Sequence, residues 1–174
     1  MMFTHKTVLG LIAAAALAPS TFGACITIHS FVSADDLVNA LIADEGVTFK
    51  NAELKGASGS AATFFDNSNK AIFGFKRGLA LSSGAVRAIT GDPRIESSVE
   101  NNAVGDSDLD QEFFGGQPKT RDATILEFDF KCDEHLGFSF KYVFGSEEYN
   151  EYVNSPFNDV FAFFLDGKNI ALLP

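Results

Sequence analysis

The sequence predicts a mainly β protein: an antiparallel β-sandwich of the jelly-roll kind with one short helix near its start. Three observations lead there. From residue 47 onward, short runs of alternating apolar and polar residues are separated by Gly, Asn, Asp and Ser, the grammar of strands and turns. Helical spacing of apolar residues stands out in one stretch only, residues 34–44. The aromatic complement is 19 Phe and 3 Tyr with no Trp, and the Phe residues recur at alternate positions within the runs, as strand cores require.

The chain has 174 residues, 46% hydrophobic and 21% charged, which is a globular composition long enough to bury a core without metal or disulfide staples. Thirteen Lys and Arg stand against 23 Asp and Glu, a formal net charge of −10. Nucleic acid is excluded as a partner, because phosphate binding rests on clustered Lys and Arg that this sequence lacks. No internal repeat and no Pro-rich linker divides the chain after residue 24, so 25–174 reads as one domain.

Residues 1–24 read as a secretory signal peptide: Lys6, then an apolar run over 8–18, then Pro19 and small residues. The run is about half of the roughly 20 residues that span a bilayer, and no later stretch comes closer, so no transmembrane segment is expected. The tetrad Phe22, Gly23, Ala24, Cys25 resembles a bacterial lipobox but opens with Phe in place of Leu, while cleavage after Ala24 places Phe22 where a small residue is usual. Three fates for Cys25 follow. In an oxidising compartment a disulfide with Cys132 comes first. Lipidation is the second. A tetrahedral zinc site of Cys25, His29, Cys132 and His135 is the third, although its spacings miss the usual finger pattern.

Along the mature chain, Ser33 followed by Asp36 is a capping signal, and Leu37, Val38, Leu41 and Ile42 then recur at helical spacing until Gly46. Strands are expected at VTFKNAEL (47–54), IFGF (72–75), LALSSG (79–84), TILEFDF (124–130), LGFSFKYVF (136–144) and DVFAFFL (159–165). In 136–144, Leu136, Phe138, Phe140, Tyr142 and Phe144 share one face, which is assigned to the core. In 125–130, Leu126, Phe128 and Phe130 alternate with Glu127 and Asp129. The run 159–165 is apolar on both faces and reads as a central strand. Periodicity breaks over 92–123, a long acidic stretch of the kind that is either functional or disordered in a compact domain.

The densest chemistry lies at 144–167, where Glu147, Glu148, Asn150 and Glu151 precede a strand opening on Asn158 and Asp159. Adjacent carboxylates repel unless a cation or hydrogen bonds compensate. Hard oxygen ligands in an exported protein suit Ca2+, so Glu147, Glu148 and Asp159 are candidate ligands, with the run Asp106, Asp108 and Asp110 a second acidic loop able to join them. The run from Asp106 is not an EF-hand, since Gln111 stands at its sixth position and Gln117 at its twelfth. The plainer reading of these acids is a solvated, solubilising loop. A glycosidase could use Glu147, Glu148 or Glu151 with Asp159 as its carboxylate pair. A serine hydrolase lacks both a G-x-S-x-G elbow and a convincing His base.

The ordered set LVNALI (37–42), GVTFKNAELKG (46–56), GLALSSG (78–84), GDSDLD (105–110), DATILEFDF (122–130) and FGSEEYNEYVNSPFNDVFAFFLDGKNIALLP (144–174) resembles the choice-of-anchor L domain. The last stretch is the specific one. The resemblance covers essentially all of 25–174 and implies that the chain holds the front part of that domain. Members usually continue with further strands and a surface-attachment tail, both expected to be missing here, leaving open sheet edges that another chain could complete. It also implies a secreted or cell-surface module with an adhesive or structural role, no catalytic activity, and an extracellular surface component or glycan as partner. It carries over no catalytic residues.

Overall fold

The computed structural model describes residues 5–10, 26–30, 32–42, 46–69, 71–90, 99–132, 140–146 and 159–171. Among these, eight strands form two antiparallel sheets. They are β1 (His5–Gly10), β2 (Ile26–His29), β3 (Val47–Lys55), β4 (Ala61–Asp66), β5 (Arg77–Leu81), β6 (Ile125–Cys132), β7 (Ala162–Leu165) and β8 (Lys168–Asn169). The larger sheet has the order β3-β6-β1-β7-β8, and the smaller has the order β2-β4-β5. The mainly β expectation therefore holds.

Helix α1 (Ala34–Leu41) begins where the capping signal places it. The Ser33 hydroxyl accepts the Asp36 amide at 3.1 Å, and the Asp36 carboxylate accepts the Ser33 amide at 2.9 Å. This reciprocal pair satisfies two donors that helix geometry leaves orphaned. It sets Leu37 and Val38 facing inward, both fully buried.

Those two residues meet the inner faces of both sheets. Leu37, Val38, Ala61, Leu79, Leu81, Leu126, Phe128, Phe130 and Phe163 form the main core. A second cluster lies on the far face of the larger sheet, where Ile125, Ala162 and Phe164 are covered by Leu109 of helix α2 (Ser107–Phe114). A third lies on the far face of the smaller sheet, where Ile26, Ala62, Phe64 and Ala80 pack under Val86 of a 3-10 turn (Val86–Thr90). Both sheets are thus covered on two faces, which is why β7 is apolar on both sides and β6 is buried beyond simple alternation.

Four departures from the sequence expectation have physical reasons. The stretch 72–75 is a turn and not a strand: Ile72, Phe73 and Phe75 fold onto Phe64, with Phe73 and Phe75 ring centroids each 5.8 Å from that of Phe64. Part of the acidic stretch is helical, because Asp106 caps α2 and Gly115, at φ 62°, closes it in the left-handed conformation glycine favours. Glu127 is not on a wet face; it is buried and ion-paired with Lys55 of β3. Finally, His5–Gly10, inside the segment that reads as an export leader, forms a central strand.

One irregularity in the larger sheet is self-explanatory. The β3–β6 register shifts between Lys50 and Glu53, a bulge at which Asn51 takes φ 55°. Its side-chain amide donates to Asp129 at 2.7 Å, tying the bulge to the neighbouring strand.

Candidate functional site

The described part of the acidic stretch, 99–123, is a built structure held by its own carboxylates. Asp122 reaches back across it: its side chain accepts the Ala103 amide at 2.5 Å and the Asn101 amide at 3.3 Å. Two backbone bonds run alongside, from Asp122 to Ala103 and from Ala123 to Val104, each 3.1 Å. Asn101 then donates to the carbonyls of Ser83 at 2.7 Å and Gly84 at 3.0 Å, fastening the loop to the turn after β5. Thr124 makes a buried bond to the Ser82 carbonyl at 2.7 Å.

Helix α2 is locked to the return segment in the same way. The Asp106 carboxylate accepts the Asp108 and Leu109 amides at 3.0 and 2.9 Å, the work of an N-cap. Asp110, nearly buried, accepts the Lys119 and Thr120 amides at 2.9 and 2.8 Å. These amides, Thr120 first, hold its carboxyl below its ordinary pKa against the opposing cost of burial. Glu112 accepts from Asn169 at 3.2 Å, and Asn169 accepts the amides of Phe163 and Ala171 at 3.3 and 3.0 Å, joining α2 to β7 and β8. The sequence singled out Asp106, Asp108 and Asp110 as an acidic run suited to a cation, but neither the amides that Asp110 holds nor any role for Asp122 or Asn101. A carboxylate followed by amides nine and ten residues later has no short-range signature.

Asp66 is a second carboxylate of this type. Fully buried at the end of β4, it accepts the Ser68 hydroxyl at 2.5 Å, the Ser68 amide at 2.8 Å and the Ile72 amide at 2.6 Å. The Ser68 hydroxyl is the main cause of its lowered pKa. Lys55, whose ammonium lies against Glu127, has its pKa raised chiefly by that bond.

Of the expected Ca2+ ligands, Asp106 and Asp108 lie at the N-terminus of α2, and Asp159 accepts the Ser146 hydroxyl at 2.5 Å. Glu147 and Glu148 lie outside the described residues, as does Glu151. Among the described residues, no three or more His, Cys, Asp and Glu gather closely enough to hold a metal ion. Cys132, at the end of β6, is a half-buried free thiol; its expected partner Cys25 lies outside the described residues, and so does His135. His29 is exposed on β2.

The described part of 136–144 keeps the expected sidedness outside any strand. Phe140 stacks on Phe163 at 4.1 Å, Tyr142 lies 5.0 Å from Phe161, and Phe144 lies 6.2 Å from Phe161. Phe140 is half-buried, but Tyr142 and Phe144 are 40% and 39% exposed, so only the inner end of this row belongs to the core as expected. Leu136 and Phe138 lie outside the described residues.

Among the described residues, no helix is long and apolar enough to cross a membrane. No curated protein and no solved structure matches the chain. The family model described as the choice-of-anchor L domain matches residues 27–174, a span that includes the acidic loop, the aromatic row and every strand except β1 and the first residue of β2. The family is one of surface-associated modules, and this chain belongs to it.

Proposed function

We propose that the chain is an exported, surface-displayed β module that holds on to an extracellular surface component and performs no catalysis. The observation that carries this reading is the family match over 27–174, downstream of a segment with the layout of an export leader. The chemistry of the acidic loop supports it. Asp106, Asp110 and Asp122 are occupied with backbone amides of their own loop, the work of carboxylates that shape a surface. In the same reading Ca2+ stabilises the module through Glu147, Glu148 and Asp159, a carboxylate set suited to that ion.

The test is retention. Beads coated with the full chain should stay on cell surfaces or extracellular matrix under flow, while a panel of glycoside, ester and peptide substrates stays unconverted. Turnover of any of them would displace the reading. Thermal midpoints measured in millimolar Ca2+ and in chelator should differ; identical midpoints remove the metal.

A carbohydrate-binding module is the second reading, favoured by the exposed rings of Tyr142 and Phe144 beside a carboxylate-rich segment. A glycan array separates the two. Binding without cleavage makes the module a lectin, and product release makes Glu147, Glu148 or Glu151 with Asp159 a hydrolytic pair.

A further inference from the structure

β1 lies third of five in the larger sheet, although it belongs to the segment that reads as an export leader. It pairs antiparallel with β6 over its whole length, from His5 opposite Phe130 to Gly10 opposite Ile125. It pairs antiparallel with β7 as well, from Thr7 opposite Leu165 to Gly10 opposite Ala162. β6 and β7 therefore run parallel to each other with one strand between them. Strands in a sheet are about 4.8 Å apart, so without β1 the two stand roughly 10 Å apart, beyond direct hydrogen bonding. The β7–β8 hairpin would then lose its ladder to the rest of the sheet, and the facing amides and carbonyls of β6 and β7 would lose their partners.

Each wall of this slot is also held by side-chain packing. On one face Leu126 and Phe128 of β6 and Phe163 of β7 belong to the main core; on the other Ile125, Ala162 and Phe164 pack together beneath α2. Closing β6 directly onto β7 would pull both clusters out of register. A replacement strand restores the ladder and leaves them undisturbed.

We propose that the space between β6 and β7 is a strand-acceptor site. When residues 1–24 are removed on export, it takes an extended segment of another polypeptide that runs antiparallel to both walls. That segment spans four paired residues on β7 and six on β6 and carries apolar side chains on the faces of Leu126 and Phe163 and of Ile125 and Phe164. Main-chain hydrogen bonds supply the affinity, and alternate side chains supply the selectivity. Before processing, the leader's own strand holds the place. The proposal rests on the export reading above.

The experiment uses the full chain with a protease site placed within residues 11–24, cut after purification so that the leader is no longer covalently held. A fluorophore-labelled peptide of residues 3–12, FTHKTVLGLI, is then added, alongside the same peptide carrying Val8→Pro. The cut chain should take up the first peptide saturably and the uncut chain should not. The proline peptide should bind about tenfold more weakly or worse, because a strand walled on both sides tolerates no lost donor. Hydrogen exchange in β6 should quicken when the leader is washed out and slow again with peptide. Equal uptake of both peptides, or unchanged exchange in β6 after leader loss, overturns the proposal. So does dimerisation of the cut chain without peptide uptake, which would assign the slot to a second copy. Export is read separately from the mass of chain recovered outside cells: retention of residues 1–24 there sinks the processing step, whatever the peptide shows in vitro.

Discussion

The ring of Phe140 lies stacked on that of Phe163, centroids 4.1 Å apart and planes 17° apart. Phe163 is a buried member of the main core, while Phe140 closes over it from a segment that belongs to no described strand. The core of the larger sheet is thus completed by a ring held through side-chain packing, without ladder bonds of its own.

Truncating the two rings should therefore cost unequally. Phe163→Ala removes a ring packed among Leu126, Phe128 and Leu37 and is expected to destabilise by about 3–5 kcal/mol. Phe140→Ala leaves that cluster in place and should cost roughly half as much, with Phe140→Leu less again. Urea midpoints of the three variants check the order; equal losses at both positions would place Phe140 in the core proper.

Gly105 supplies a sharper steric test. A Cβ built there falls onto the carbonyl and hydroxyl oxygens of Thr120, which also receives the Asp106 amide at 2.9 Å. Gly105→Ala should destabilise by about 1–3 kcal/mol by prising the acidic loop from its return segment. Faster hydrogen exchange over 101–123, with β4 and β5 unaffected, is the expected signature.

Asp106 distinguishes a cap from a metal ligand. Asp106→Ala should cost about 1 kcal/mol through loss of the bonds to Asp108 and Leu109, whereas Asp106→Asn, an equally good cap, should lie within a few tenths of the parent. Thermal melts with and without Ca2+ measure both. An Asn variant as weak as the Ala variant, and only in Ca2+, would make the carboxylate's charge the essential property.

The acid limb of stability should trace to Asp66 and Asp110. Both carboxyls are held below the ordinary value of 3.8 by hydrogen bonds that favour the ionised form. The unfolded chain then takes up protons at higher pH than the folded one, so this stabilisation is full above the ordinary value and is lost as pH falls through the lowered folded values. Urea midpoints should hold between pH 7 and 5 and drop below pH 4. Asp110→Asn keeps an acceptor for the Lys119 and Thr120 amides but cannot titrate, so its acid limb should be shallower. A limb as steep as the parent's would locate the acid sensitivity elsewhere.

Local grammar was readable where a capping or alternating signal coincides with a clear apolar period. Ser33 and Asp36 announce α1, and the alternation of Leu126, Phe128 and Phe130 announces the inward face of β6. Helix α2 was hidden because its apolar content is sparse: Leu109 alone is buried among its apolar residues, and its acids resemble a solvated loop until Asp106 and Gly115 are seen as caps. β4 escaped for another reason. Ala61, Ala62 and Phe64 are buried on both sides of their strand, so they show no alternation.

What the sequence determined by itself is the material of the layers: a β protein with Phe-rich inner faces, a capped helix at its start, and the family to which residues 27–174 belong. Periodicity suffices for that, because it records which face of an element avoids water. The tertiary structure decided who stands beside whom: Lys55 against the buried Glu127, Asp110 under the amides of Lys119 and Thr120, and His5–Gly10 between β6 and β7. Such pairings join residues from nine to more than seventy positions apart, and several depend on backbone groups that every residue carries, so no local pattern of side chains encodes them.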